Sequence, residues 1–265
     1  DPQLATHNLQ RAAEAVGGEF RFNAEVADVR RAGGRVAGVT LSDGTGIDAP
    51  IVVNVAGPHS FVINRMAGVY ESMNIKTRAL RHEVHHVPSP AGIDYEDDGL
   101  HTSDSDLAIY VRPESGNNIL IGSEDPACDD QVWVDDPDDY DNVVSDAQWN
   151  AQVLRLARRM PTLGVPNEKK GIVDLYDVSD DWIPIYDRTD LDGFYVAIGS
   201  SGNQFKNAPV AGYCMAELID AIENGHDHDA DPLVVTGVYT GLEMNMGFYR
   251  RNREINPNSS FSVNG

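Results

Sequence analysis

Lysine is scarce in this chain of 265 residues, which carries only Lys76, Lys169, Lys170 and Lys206. Arginine does not make up the deficit: 20 basic residues stand against 42 acidic ones, for a net charge of −22. A field of that sign repels nucleic acid and anionic membrane, so neither is an expected partner. It suits a salt-rich habitat, where screening removes the self-repulsion. Cysteine is nearly absent too. Cys128 and Cys214 are too few for a disulfide framework, and cytoplasm is the default compartment. No apolar run approaches the length of about 18 residues that a membrane-spanning helix needs. The acidic run from Asp135 to Asp141 lacks the glycine and closing glutamate of a calcium-binding EF-hand loop, and reads as a solvated loop. The chain opens Asp1-Pro2-Gln3, without a methionine or a basic and apolar leader, the start expected of an excised piece. Also missing is a G-x-G-x-x-G between strand and helix, the phosphate-binding turn of a dinucleotide fold. The nearest string, Gly44-Thr45-Gly46-Ile47-Asp48-Ala49, leads from a turn into a strand and reads as a hairpin loop.

What is present is an ordinary soluble composition, 41% apolar. The spacing of Leu4, Leu9, Ala12, Ala13 and Val16 predicts a helix over 4–16, stopped by Gly17-Gly18. Strands are expected at Glu19–Phe22 and Glu25–Arg31, then a turn at Gly33-Gly34 into Arg35–Leu41. Ile51–Ala56 reads as a buried strand ending at Gly57-Pro58, with a helix from Ser60 to Ala67. Residues 75–135 are rich in strands, with alternation at Leu80, His82, Val84 and His86, in Leu107–Arg112 and in Asn118–Gly122. An amphipathic helix carries Val144, Trp149, Val153, Leu156 and Met160, with Pro161 just beyond it. The string His82-Glu83-Val84-His85-His86 matches H-E-x-x-H, but a strand there separates His82 from His86 by roughly 13 Å, which rejects a helix-borne zinc site. No metal site is expected. His226-Asp227-His228-Asp229 reads as an exposed acidic loop.

The most informative stretch runs from Gly193 to Ile219. A short apolar strand, Phe194–Ile198, enters the small-residue loop Gly199–Asn203, and a helix leaves it with Pro209 near its start and apolar Val210, Cys214, Leu218 and Ile219. A strand, a glycine loop and a helix N-terminus together present free N–H groups to an electron-rich ligand. The stretch resembles the C-terminal flavin segment of the FAD-dependent oxidoreductases of the D-amino-acid oxidase superfamily, which includes glycine oxidase, sarcosine oxidase and dimethylglycine dehydrogenase. The resemblance rests on Gly199, Ser201, Gly202, Phe205, Lys206, Ala208 and Pro209. Gln204 stands where a second loop glycine is usual. Counterparts extend to the strand carrying Val26 and to the Ala56-Gly57-Pro58 turn, so the likeness reaches to about residue 225.

The resemblance implies a mixed α/β (α+β) architecture: part of an FAD-binding dinucleotide fold plus an antiparallel-sheet substrate domain. Residues 1–70 and 170–225 would form the remainder of the FAD domain, 71–169 the substrate domain and 226–265 a C-terminal tail. It implies FAD held by Val26, Ala56, Gly57, Pro58, Gly199, Ser201, Gly202, Asn203, Gln204 and Phe205. Without the adenosine-diphosphate turn, such a piece is expected to hold FAD weakly or not at all. The implied reaction is oxidation of the C–N bond of a secondary or tertiary amino acid, with a separate electron acceptor. Lys206, Arg112 and Tyr176 are the candidates for orienting the substrate, and no base is assigned. Each has a plainer alternative: Lys206 an exposed lysine, Arg112 a surface arginine paired with Glu114, Tyr176 a core residue. His82 is open between a pocket-facing and a structural role. Two other readings stand beside the enzyme: a catalytically silent binding domain that keeps the fold, and an acidic domain that binds small cationic amines.

Overall fold

The structure, a computed structural model, describes residues 1–263. Helix α1 (Pro2–Ala15) begins on Asp1, whose carboxylate caps the N–H groups of Gln3 and Leu4. Strands β1 (Val26–Ala32), β2 (Arg35–Leu41) and β3 (Gly46–Asp48) form an antiparallel sheet, so the Gly44–Ala49 string is hairpin and strand. Glu19–Phe22 is irregular rather than a strand, because no neighbour offers it a ladder. After β4 (Val52–Asn54), Gly57 takes a left-handed φ of 56° and turns the chain into α2 (Ser60–Met66).

The larger sheet has six strands. Long β5 (Thr77–Pro88) is its spine. The short helix α3 (Tyr95–Asp98) precedes β6 (Thr102–Asp104), β7 (Ile109–Glu114), β8 (Asn118–Ser123) and β9 (Val132–Val134). Helix α4 (Asp146–Arg159) follows, and β10 (Gly171–Ser179) completes the sheet in the order β10-β5-β8-β7-β6, with β9 also on β5. Alternation along β5 sends Glu83, His85 and Val87 toward α4, while Leu80 and His82 face the opposite side. Ser145 caps α4 through the N–H of Gln148, and Trp149, Val153 and Leu156 bury its inner stripe. His85 has a partner at both ring nitrogens, Gln152 Oε1 2.9 Å from Nδ1 and Glu83 Oε2 3.1 Å from Nε2. Burial alone would raise Glu83, but hydrogen bonds from His85, Arg81 and Ser145 bring its carboxyl down to about 2.

A smaller sheet joins β11 (Ile185–Arg188), β12 (Phe194–Ile198) and β4, with β12 and β4 parallel. Phe194, Val196 and Ile198 pack toward α2 and β1–β2; Tyr195 packs toward α5 (Ala208–Glu223), against Cys214, Met215 and Leu218. Strand β4 is shorter than Ile51–Ala56 and is not buried as expected. It has a partner on one side only, which leaves Val53 and Val55 exposed. Val210 is likewise exposed, on the first turn of α5. The chain ends with β13 (Val234–Thr236) and β14 (Glu243–Asn245), then a segment pinned by charge. Buried Arg251 bonds Asp187, Asp190 and Asp229, and Arg253 bonds Asp181. His226 and His228 belong to this region, and His228 is fully buried rather than in an exposed loop, its Nδ1 accepting from the Leu233 N–H at 3.0 Å. No helix among the described residues is long and apolar enough to cross a membrane.

Candidate active site

The loop after β12 is built from three left-handed residues, Gly199 (φ 72°), Ser201 (φ 48°) and Gly202 (φ 80°). Two need glycine for space as well. A Cβ on Gly199 would lie 3.0 Å from Ser179 Cβ, and one on Gly202 would lie 2.9 Å from the Tyr176 ring. Ser201 is fully buried; its N–H donates to the Asp177 carbonyl (2.8 Å) and its Oγ accepts from the Ser179 N–H (3.4 Å). The Gly199 N–H donates to Asp177 Oδ2 at 2.6 Å. Strand β10 therefore grips the loop with both faces: Tyr176 against Gly202 on one, Asp177 under Gly199 on the other. The N–H groups of Gly202 and Gln204 have no partner among the described residues. Buried Asn203 is joined to the Gln204 amide, and Gln204 Oε1 accepts from Asn207 (2.9 Å) and lies 3.4 Å from the Tyr186 hydroxyl. Phe205 is exposed.

Above the loop, Tyr176 stacks on His82 with ring centroids 4.6 Å apart. Burial raises the Tyr176 phenol well above its ordinary value, and the neighbouring Tyr110 adds to the rise. Asp125 accepts from His82 Nε2 at 3.1 Å, and His82 Nδ1 is buried without a partner among the described residues. Tyr110 and Asp125 were not legible as site residues. Gly122 makes room for the Tyr110 ring, which a Cβ there would meet at 2.1 Å. A cavity of about 680 Å³ opens beside the loop, lined by Val53, Val55, Tyr176, Gly202, Gln204 and Phe205 among others. A second, of about 960 Å³, is walled by Trp133, Val178 and Trp182, with Arg78 and several carboxylates. Both lie in the size range of small-molecule sites.

The other expected residues fall unevenly. Ala56, Gly57 and Pro58 form the turn whose next residues include buried Ser60, beside Asp177, so this turn and the glycine loop converge. Val26 is half-buried at the start of β1, paired with Leu41, in a separate sheet from the loop. The Lys206 ammonium folds back on the Asn203 carbonyl at 3.1 Å. Arg112 takes the plainer of its two readings: its guanidinium is exposed and bonds the Pro113 carbonyl and Glu114, because a strand-edge arginine next to a carboxylate pairs locally. Arg78 went unnoticed. It stacks on Trp133, 3.9 Å from the ring centroid.

The profile of the FAD dependent oxidoreductase (DAO) family matches residues 1–218. The beta subunit of sarcosine oxidase from Rhodobacter capsulatus is 28% identical over 215 residues, covering 79% of this chain and 46% of that protein. The same subunit from Rhizobium meliloti is 27% identical over 209 residues, with the same coverage, 79% and 46%. The chain thus spans about half the length of the curated relatives it matches. Among solved structures, L-proline dehydrogenase from P. horikoshii superposes with a TM-score of 0.67 at 21% identity, over 86% of this chain and 56% of that one. Glycine oxidase from Bacillus cereus gives 0.58 at 20% identity, over 80% and 54%. Low identity makes the last two statements about fold alone. With the family profile running from the first residue through most of α5, the chain belongs to the FAD dependent oxidoreductases of the DAO family.

Proposed function

We propose that this chain carries the flavin-ring and substrate portion of an enzyme that oxidises the C–N bond of an amino acid, a secondary or tertiary one such as a methylated glycine in the first instance. One observation carries the reading: the Tyr176 ring joins the glycine loop to the substrate sheet, touching Gly202 on one side and His82 on the other. The residues present fit a flavin. The cavity beside the loop is largely apolar, Gly202 has no room for a Cβ on the Tyr176 side, and the free N–H groups of Gly202 and Gln204 suit an electron-rich ring edge. FAD, when bound, supplies the two-electron acceptor that takes a hydride from the carbon next to nitrogen. The resulting imine is hydrolysed by water to a carbonyl compound and an amine.

The chain's own residues bind and orient. Loop N–H groups stabilise negative charge at the ring edge. Tyr176 and Trp182 are positioned as apolar walls of the two cavities. His82, stacked on Tyr176 and bonded to Asp125 through Nε2, backs that wall without lining either cavity, and no base is assigned. For the substrate carboxylate, Lys206 remains a candidate as a point charge, and Arg78 is added as a fork able to make two parallel bonds. Residues 1–70 with 170–225, 71–169 and 226–265 are kept as the proposed division of the chain. Cytoplasm is the proposed location, given two free thiols. The relatives are named as subunits, which supports a partner subunit or electron acceptor.

The test is a visible spectrum of the full-length protein, followed by anaerobic addition of sarcosine, dimethylglycine, glycine and proline. Flavin bands that bleach with one of these amino acids are expected. A flavin that none of them reduces would overturn the substrate class.

A further inference from the structure

Beneath the glycine loop lies a buried carboxyl that the proposed reaction does not use. Asp177 is 2% exposed, and the elements around it bring no charge. From β5 it faces Thr77 and Ala79; from the start of α2, Ser60; from the loop, Gly199 and Ser201; along its own strand, Ser179. None of these residues is titratable, and no charged side chain acts on it. Its Oδ2 takes the Gly199 N–H and its carbonyl takes the Ser201 N–H. Its Oδ1 has no partner, and neither do the buried hydroxyls of Ser60 and Thr77. Both hydroxyls lie close enough to act on the Asp177 carboxyl.

We propose that Asp177 is a positioning residue of the cofactor site, held uncharged beneath the loop with Ser60 and Thr77, and that its ionisation weakens flavin binding. A neutral carboxyl can accept from Gly199 and still donate through its other oxygen to a hydroxyl. A carboxylate can only accept, so both hydroxyls must then turn their protons toward it. An ionised Asp177 also places an uncompensated negative charge under the surface that faces the electron-rich flavin edge. Burial pushes this carboxyl up to about 7, the Gly199 N–H and the hydroxyls of Thr77 and Ser60 tempering the rise. Gly199 transmits the effect, because with φ of 72° and Ser179 and Thr77 packed at 3.0 and 3.3 Å around a would-be Cβ it has no room to relax.

The inference rests on the FAD reading above. The experiment measures the Kd of the full-length protein for FAD by flavin fluorescence from about pH 5.5 to about pH 8.5, a window bracketing the Asp177 transition. Wild type is expected to bind about tenfold more weakly at the upper end, the consequence of a one-unit coupling between ligand and proton. Asp177→Asn, which keeps the shape and stays neutral, is expected to bind tightly and evenly across the range. Asp177→Ala is expected to bind weakly throughout. Thermal unfolding over the same window reads the group without flavin. Because the folded-state value lies above the unfolded one, wild type loses stability as pH rises through about 7, and Asp177→Asn does not. A pH dependence shared by wild type and Asp177→Asn, in either measurement, overturns the inference. Flavin binding that is flat with pH in wild type overturns it while leaving the FAD reading intact; no flavin binding at any pH overturns both.

Discussion

Arg78 is conspicuous because, in a chain with 42 acidic residues, no carboxylate sits on its guanidinium among the described residues. Stacking on Trp133 holds the plane and leaves the donor edge facing a cavity walled by Trp182 and Val178. Lys206, by contrast, spends one donor on the Asn203 carbonyl, and Arg112 is held by Glu114. Charge-assisted hydrogen bonds are worth about 1.5–3 kcal/mol, so Arg78→Ala is expected to raise KM for an amino-acid substrate about 10- to 100-fold. An amine without a carboxylate should feel little of this. Steady-state kinetics on both substrates decides it, and equal changes for the two would remove Arg78 from the carboxylate role. Arg78 was within reach of the sequence, since it shares the even-numbered face of β5 with His82. Arg112 drew attention instead because it precedes a proline, a local cue that says nothing about what lies opposite.

Strand β5 and helix α4 are held together by a polar core as much as by Trp149 and Val153. Glu83 is the centre of it, bonded by Arg81 (2.6 Å), His85 (3.1 Å) and the Ser145 N–H (3.0 Å). Its carboxyl lies at about 2 against an ordinary 4.5, so the folded state binds the proton less readily than the unfolded one. That stabilisation is fully present above the unfolded value and is lost as pH falls toward about 2. A shift of this size corresponds to roughly 3 kcal/mol. Glu83→Gln is expected to lower the melting temperature at neutral pH and to flatten its fall in acid; circular dichroism melts at several pH values check it. An identical acid limb in the variant would assign the loss to other carboxylates. The helix itself was legible from its spacing and from Pro161, and β5 from its alternation. That His85 and Glu83 would be fully buried was not, because alternation tells which residues share a face and not which face meets a helix.

Across the whole molecule, the last part of the chain closes back on the β11–β12 sheet through Arg251. Its guanidinium is 5% exposed and meets Asp187, Asp190 and Asp229. Burial alone would lower it, but the three carboxylates hold it well above the usual arginine value. Asp187, fully buried, depends on this partner. Arg251→Ala is expected to cost about 3–5 kcal/mol, because it strands buried negative charge. Arg251→Lys should recover only part, since a point charge cannot span three carboxylates. Urea unfolding measures both, and a loss below about 1 kcal/mol for the alanine variant would show that water already screens the cluster. Residues 249–263 carry no strong pattern in the sequence, because ion pairs between distant residues leave no periodicity.

The sequence by itself determined the strand, glycine loop and helix from Phe194 to Glu223, since left-handed glycines and a helix-opening proline are local demands of the backbone. It also determined the alternation of β5, the amphipathic α4 and the family resemblance carried by Gly199–Pro209. Only the tertiary structure decided what each strand face meets. It set Tyr176 between Gly202 and His82, buried Asp177 among uncharged oxygens, freed Arg78 and tied Arg112 to Glu114. Those outcomes depend on which segments far apart in the chain come together, and no local spacing encodes them.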